Sequence, residues 1–375
     1  MRRRFTAIVV SILAAVLIAC STGGTTGQVS PTASSDATAE TQPSATATPM
    51  HSPTTAASPS AVAASPENRA TPSPAGTPVS SVPAAPPVIV AEEGDTLVIR
   101  HALGEARVKR NPQKVVVFDF GALDTLDALG VPVTGLPKTN IPRYLAKYES
   151  DAYQNVGSLA EPDFEKLSEL QPDLIIISGR QRQVYGELNK LGPTLYLAID
   201  YTRYADSVKE NVRVLGEIFD KQQEVDTYLT TLEEKIAAVR AKVAAAGVPT
   251  ALVILVNDRN ISAFGPASRF GLVYDVLGFT PIDPNIEVST HGMNISYEYL
   301  VEKNPDYLFV VDRGSVVGGQ GVTPARQTLD NELVKRTKAY QNGHIVYLQA
   351  DLWYLSGGGL QSFAAMIDEV GNALP

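Results

Sequence analysis

Apolar and polar positions repeat the same pattern at an interval of 133 residues. Phe164-Glu165-Lys166-Leu167-Ser168-Glu169 leads through Pro172-Asp173 into Leu174-Ile175-Ile176-Ile177, and Arg180 follows. Tyr297-Glu298-Tyr299-Leu300-Val301-Glu302 leads through Pro305-Asp306 into Tyr307-Leu308-Phe309-Val310-Val311, and Arg313 follows. Each copy predicts the last turns of a helix, a break at Pro-Asp, a short buried strand and an arginine just past its carboxyl end. In open α/β sheets ligands bind outside the carboxyl ends of the strands. Two such units therefore predict two lobes, each delivering an arginine to a shared cleft.

The rest of the pattern extends this scheme. Lys114 to Phe118 and Thr194 to Leu197 read as further strands of a first lobe, with a helix from Asp124 to Leu129 closed by Gly130. Asp206 opens a helix carrying Val208, Val212, Leu215 and Phe219 on one face. A longer helix follows with Val225, Leu229, Leu232, Ile236, Val239 and Val243, ending at Gly247 before Pro249. At about 25 residues it would span roughly 37 Å, enough to bridge two lobes as a strut. Ala251 to Val256 and His344 to Leu348 supply strands of a second lobe. The fold class expected is α/β, with two parallel-sheet lobes joined by a long helix that limits their relative movement. The expected boundaries are an N-terminal lobe over 92–205, linking helices over 206–248 and a C-terminal lobe over 249–375, with the binding domain itself at about 112–375.

The N-terminal quarter differs in kind. Arg2, Arg3 and Arg4 precede a mostly apolar stretch from Thr6 to Ala19, too short for a comfortable bilayer span. Residues 1–19 read as a signal peptide. Leu17-Ile18-Ala19-Cys20 resembles the lipobox of bacterial lipoproteins, in which the thiol is lipidated and the chain is cut before it. Cys20 is the only cysteine of the 375 residues, which excludes an intrachain disulfide framework or a cysteine metal site. From there to residue 91 the composition is dominated by Ser, Thr, Ala and Pro. Such a segment buries too little apolar surface to offset its ordering entropy, so residues 20–91 are expected to form a lipid-anchored tether. The implied location is the extracytoplasmic face of the cell membrane.

Charge narrows the partners. The chain has 31 Lys and Arg against 40 Asp and Glu, a net charge of -9 that becomes -12 once Arg2, Arg3 and Arg4 are removed. This argues against nucleic acid and anionic membrane surfaces as partners. No G-x-S-x-G, G-x-G-x-x-G, G-x-x-x-x-G-K or H-x-x-x-H pattern is present, so enzyme chemistry is not expected. What remains for a site is a set of loop residues: Arg180, Arg269, His291 and Arg313, the last three spaced 22 residues apart. Cations gathered in an otherwise acidic domain suit an anionic ligand.

Ile177-Ser178-Gly179-Arg180-Gln181, Ser268-Arg269-Phe270-Gly271, His291-Gly292, Val311-Asp312-Arg313 and Trp353-Tyr354-Leu355-Ser356-Gly357-Gly358-Gly359 resemble a known family. It is the siderophore-binding lipoproteins of bacterial iron-uptake ABC transporters, particularly the branch that binds ferric catecholates. The resemblance covers Asn111 to Leu374. It implies the helical-backbone type of periplasmic binding protein, a ferric siderophore as ligand and no resident cofactor. It also implies that Arg180, Arg269 and Arg313 hold the anionic complex, and that His291 and Tyr354 fill iron positions left open by a tetradentate siderophore. Tyr347 and Tyr297 compete with Tyr354 for that assignment. Glu165 and Glu298, at equivalent places in the repeat, correspond to the glutamates that dock on a dimeric ABC permease with its ATPase. Cobalamin, haem or a ferric hydroxamate is the alternative cargo on the same fold. A monomer is expected.

Metabolic labelling with a palmitate analogue should mark the wild-type chain and disappear in Cys20→Ser. Labelling that persists would rule out Cys20 as the lipid attachment site.

Overall fold

The computed structural model describes residues 86–375 except Gln320. The expected signal peptide, Cys20 and most of the expected tether lie outside the described residues. Among the described residues no helix is long and apolar enough to cross a membrane.

The first lobe is built on five parallel strands: β4 (Val115–Val117), β5 (Gly135–Leu136), β6 (Gln154–Asn155), β7 (Leu174–Ile177) and β8 (Thr194–Tyr196), in the spatial order β6-β5-β4-β7-β8. The chain runs outward from β4 to β6 and then returns to the other side of β4 as β7. The strand order therefore reverses between β4 and β7, where a crevice opens at the carboxyl ends. Helices α1 (Phe120–Ala128), α2 (Phe164–Leu170) and the single turn α3 (Tyr185–Leu188) connect the strands.

Ahead of this sheet lies an antiparallel meander that the strand reading of the sequence did not anticipate: β1 (Val88–Glu93), β2 (Thr96–His101) and β3 (Gly104–Lys109). Its first strand begins at Val88, four residues inside the stretch expected as tether. Leu97, Ile99, Ala106 and Val108 are buried from β2 and β3. The meander covers β8, the edge of the parallel sheet. His101 Nδ1 accepts the Leu103 amide at 3.2 Å, so Nε2 carries the proton and donates it to the Thr194 carbonyl on β8 at 3.2 Å. An edge strand that would otherwise present an open carbonyl is thereby capped.

Two helices leave the first lobe, α4 (Tyr204–Ile218) and α5 (Gln222–Ala245). The six apolar residues expected on the strut are all buried on α5. The second lobe contains β9 (Thr250–Asn257), β10 (Asn260–Phe264), β11 (Thr280–Pro281), β12 (Met293–Ile295), β13 (Tyr307–Asp312) and β14 (Ile345–Leu348). Their order is β12-β10-β9-β13-β14, with β11 beside the start of β9. This sheet is mixed rather than wholly parallel. Asp258 adopts φ of 56°, which turns β9 directly into the antiparallel β10. Helix α6 (Tyr297–Lys303) precedes β13, and the single turns α7 (Gly314–Val317), α8 (Ala325–Thr328) and α9 (Lys338–Gln341) follow it.

The repeated Pro-Asp has one physical role in both lobes. Gln171 and Asn304, just before it, adopt left-handed φ of 49° and 51° and end the preceding helices. Asp173 Oδ2 then accepts the amides of Gln113 and Lys114 at the start of β4, and Asp306 Oδ2 accepts the Thr250 amide at the start of β9. Each aspartate thus pins the neighbouring strand at its amino end.

The last helix, α10 (Leu360–Asn372), packs along α5 and α1. The lobes are consequently joined by more than the single helical connection expected. One continuous apolar core takes in Val115, Val117, Leu174 and Ile176 from the first sheet, the buried stripe of α5, Phe363 and Ile367 of α10, and Val253, Leu255, Phe309 and Val311 from the second sheet. The alternate strand residues, Val116, Ile175 and Ile177 in one lobe and Leu252, Ile254 and Leu308 in the other, face separate outer cores. Burial on both faces explains the unbroken apolar runs of these strands.

His101→Ala should lower the free energy of unfolding in urea by about 1–3 kcal/mol, because the Thr194 carbonyl loses its partner in a buried place. Burial depresses the His101 pKa below 6.5 despite the bond to Thr194. Its contribution is therefore complete above pH 6.5 and is lost as pH falls through the depressed value, when Nδ1 takes a proton and stops accepting from Leu103. His101→Ala should lack this acid-side component of the stability profile.

Candidate functional site

Arg180 follows β7 and Arg313 follows β13, so both stand at carboxyl ends of parallel strands. Arg269 comes from the turn after β10. Tyr354 sits in a wide helical turn, Asp351–Leu355, between β14 and α10. All four converge. The Tyr354 carbonyl accepts Arg180 Nη2 at 3.2 Å from the first lobe and Arg269 Nη2 at 2.9 Å from the second. Arg313 Nε donates to the Tyr354 hydroxyl at 2.8 Å, and its Nη1 donates to Asn257 Oδ1 at 2.8 Å. The Arg269 guanidinium lies over the Tyr354 ring at 4.5 Å and over Phe270 at 5.1 Å; that of Arg313 is 5.5 Å from the Tyr354 ring.

The electrostatics are unusual for so much positive charge. Among the described residues, no carboxylate lies within 4.0 Å of Arg180, Arg269 or Arg313. The buried Nε of Arg269 has no acceptor there either. Arg203, by contrast, is neutralised by Glu210 at 2.6 Å. Burial alone would raise the Tyr354 pKa. The bond from Arg313 and the positive charges of Arg313, Arg269 and Arg180 outweigh it and hold the phenol below its ordinary value of 10. The site therefore presents three positive charges around an aromatic ring, chemistry suited to an anionic aromatic group, and the arginines favour the ionised phenol, a form suited to a hard metal ion.

The turn bearing Tyr354 is seated on the first lobe by glycines. A Cβ on Gly357 would meet Tyr204 Oη at 3.2 Å, and one on Gly358, where φ is 106°, would collide with Ile199. One on Gly359 would overlap the Asp124 carboxylate. Behind Tyr354, Trp353 is buried against Phe270 with ring centroids 6.4 Å apart, and its indole donates to Glu369 on α10 at 2.8 Å.

The chain has relatives among known proteins. Residues 115–352 match the family model described as periplasmic binding protein. The chain belongs to that family. Petrobactin-binding protein YclQ of Bacillus subtilis is 49% identical over 284 residues, which is 75% of this chain and 89% of YclQ. The crystal structure of YclQ superposes with a TM-score of 0.72, covering 75% of this chain and 99% of that one. The catecholate-siderophore binding protein VctP of Vibrio cholerae gives 0.70 at 38% identity, covering 73% and 99%. PiuA, an iron-uptake ABC transporter substrate-binding protein of Streptococcus pneumoniae, gives 0.70 at 39% identity, covering 74% and 98%.

Within this periplasmic binding protein fold, His291 lies in the second lobe. It is exposed in the loop before β12, and among the described residues it makes no hydrogen bond to Arg180, Arg269, Arg313 or Tyr354. Its neighbour Gly292 rests on the Phe264 ring, which packs on Phe270 next to Arg269. The Arg326 guanidinium lies over the Tyr347 ring at 3.9 Å, and the Tyr297 hydroxyl donates to the Thr328 carbonyl at 2.9 Å. Glu165 and Glu298 are exposed at the second positions of α2 and α6, behind the caps Asp163 and Ser296. Each helix runs antiparallel to the strand it precedes, which puts both glutamates at the cleft end of the molecule. Asn257 was missed in the sequence, where Asn257-Asp258 reads only as a turn. A cavity of about 720 Å³ beside Val248, Asp306, Tyr307, His344 and Pro375 lies at the opposite, amino end of the second-lobe strands and contains none of these residues.

Arg313→Gln should move the ionisation of Tyr354 upward, read as the difference in ultraviolet titration between that variant and Arg313→Gln/Tyr354→Phe, against wild type and Tyr354→Phe. An unmoved curve would show that the arginines do not govern the phenol.

Proposed function

We propose that this protein captures a ferric siderophore of the catecholate type in the cleft and delivers it to an ABC permease, without transforming it. The observation that carries the reading is the convergence of Arg180, Arg269 and Arg313 on Tyr354, from both lobes and with no carboxylate partner among the described residues. A ferric catecholate is a multiply charged anion with aromatic faces. Guanidinium groups meet it with charge-assisted hydrogen bonds and by stacking. The names of YclQ and VctP, a petrobactin binder and a catecholate-siderophore binder, support the same ligand class. Tyr354 is the iron ligand for a siderophore that leaves coordination positions open, and His291 joins it by movement of its exposed loop. Glu165 and Glu298 dock on the two halves of the permease, and Cys20 holds the monomeric receptor at the outer face of the membrane.

The test is a titration of the protein with ferric catecholate, ferric hydroxamate, haem and cobalamin, following quenching of Trp353, the only tryptophan. Ferric catecholates should bind most tightly, and replacing any of the three arginines by Gln should weaken them about 10- to 100-fold, the value of a hydrogen bond to a charged group. Preferential binding of cobalamin, haem or a hydroxamate would overturn the cargo assignment. Charge reversal at Glu165 and Glu298 together should leave this titration unchanged and abolish uptake by cells; intact uptake would place docking elsewhere.

A further inference from the structure

The turn that carries Tyr354 is gripped at both ends by two consecutive residues of the first lobe. Arg143 and Tyr144 open a short helical segment in the loop after β5, at the carboxyl end of the sheet. Arg143 Nε donates to Asp351 Oδ2 at 2.7 Å and its amide approaches the same oxygen at 3.4 Å. Asp351 is the first residue of the turn and is buried, whereas the Arg143 side chain is 80% exposed, so the arginine reaches inward from the rim. Tyr144 shares its hydroxyl proton between Ser356 Oγ at 2.8 Å and Asp124 Oδ2 at 3.0 Å. Ser356 is the residue immediately after the turn, and its own hydroxyl donates back to the Asp351 carbonyl at 2.9 Å. Asp124 also accepts the amides of Gln361 and Ser362 at 2.8 and 2.7 Å, capping α10. The four residues between the two grips, 352–355, include Tyr354, whose carbonyl and hydroxyl receive the three arginines.

We propose that Arg143 and Tyr144 are positioning residues of the binding site: they fix the Asp351–Leu355 turn, and through it the orientation of Tyr354 toward Arg180, Arg269 and Arg313. This rests on the reading of the cleft as the ligand site, and it adds two residues that do not touch the arginine cluster themselves. A turn held only by its flanking elements could shift by an ångström, and hydrogen bonds of 2.8–3.2 Å do not survive that displacement. Both contacts are part-buried: Arg143 and Tyr144 are exposed residues whose polar ends reach in to the buried Asp351, Ser356 and Asp124.

The test uses Arg143→Gln, Tyr144→Phe and the double variant of the full chain. The first readout requires no siderophore: the Tyr354 ionisation curve, isolated by subtracting the same variant carrying Tyr354→Phe, should move up toward ordinary tyrosine in the double variant. The second is affinity for a ferric catecholate, which should fall about tenfold in each single variant, corresponding to one lost hydrogen bond to a charged or buried partner. Arg143→Lys should recover part of the loss, since it restores a donor to Asp351. Thermal unfolding identifies any variant that fails to fold. Because Tyr144→Phe alters only one hydroxyl, it remains interpretable if the double variant does not fold. An unmoved Tyr354 curve with unchanged affinity would overturn the clamp. If wild type binds no ferric catecholate, the cargo reading fails, and the Tyr354 curve still decides the clamp.

Discussion

Three guanidinium groups held around one tyrosine are the constraint on which the rest of this structure depends. Arg269 and Arg313 lie 4.5 and 5.5 Å from the centre of the same ring, so their charges are no more than about 10 Å apart. At an effective dielectric of roughly 20 that pair alone repels by at least about 1.5 kcal/mol, and Arg180 adds to it. Long side chains on mobile loops would relieve this by turning outward into water. Here each arginine is tied: Arg313 between Asn257 and the phenol, Arg180 and Arg269 on one carbonyl. Holding three like charges this close requires a stiff frame.

The frame is stiff because the lobes do not have separate interiors on their facing sides. Alternate residues of β4, β7, β9 and β13 enter one core together with α4, α5 and α10, and only the opposite strand faces have cores of their own. Opening a cleft between such lobes by a large angle would expose apolar surface at about 25 cal/mol for each Å². Small closures that leave the shared core packed are the motions this architecture permits. Such a frame also keeps the exposed Glu165 and Glu298, at the starts of α2 and α6, at a nearly constant spacing.

Much of this was legible in the sequence, and the reason is local chemistry. The 133-residue repeat showed the two lobes because each Pro-Asp ends a helix and pins a strand with the same side chain, Asp173 or Asp306. Arg180 and Arg313 were found because a charge just past a buried strand has few places to go, whereas Arg269 came from a loop motif and the family resemblance. Other features depend on contacts between distant segments. The meander was written as alternation in Leu97, Ile99, Ala106 and Val108, yet its purpose, capping β8 through His101 and Thr194, depends on residues 93 positions apart. Arg143 and Tyr144 look like ordinary surface residues until Asp351 and Ser356, more than 200 positions later, are set against them. The docking of α10 on α1 and α5 rests likewise on Asp124, an aspartate with no local sign of its role.

The choice of a tyrosine at the centre has a physical logic. A carboxylate there would align the guanidinium groups equally well, but it would cancel one of their charges, and an incoming anion would have to displace it. A backbone carbonyl and a protonated phenol offer acceptors of the same reach while leaving the triple charge uncompensated. The same arginines lower the phenol pKa against the effect of burial, so proton loss becomes easier as a hard cation approaches. Tyr354 thereby orders the charges without neutralising them. An aspartate would order them but cancel one, and a phenylalanine would leave Arg313 Nε without this acceptor.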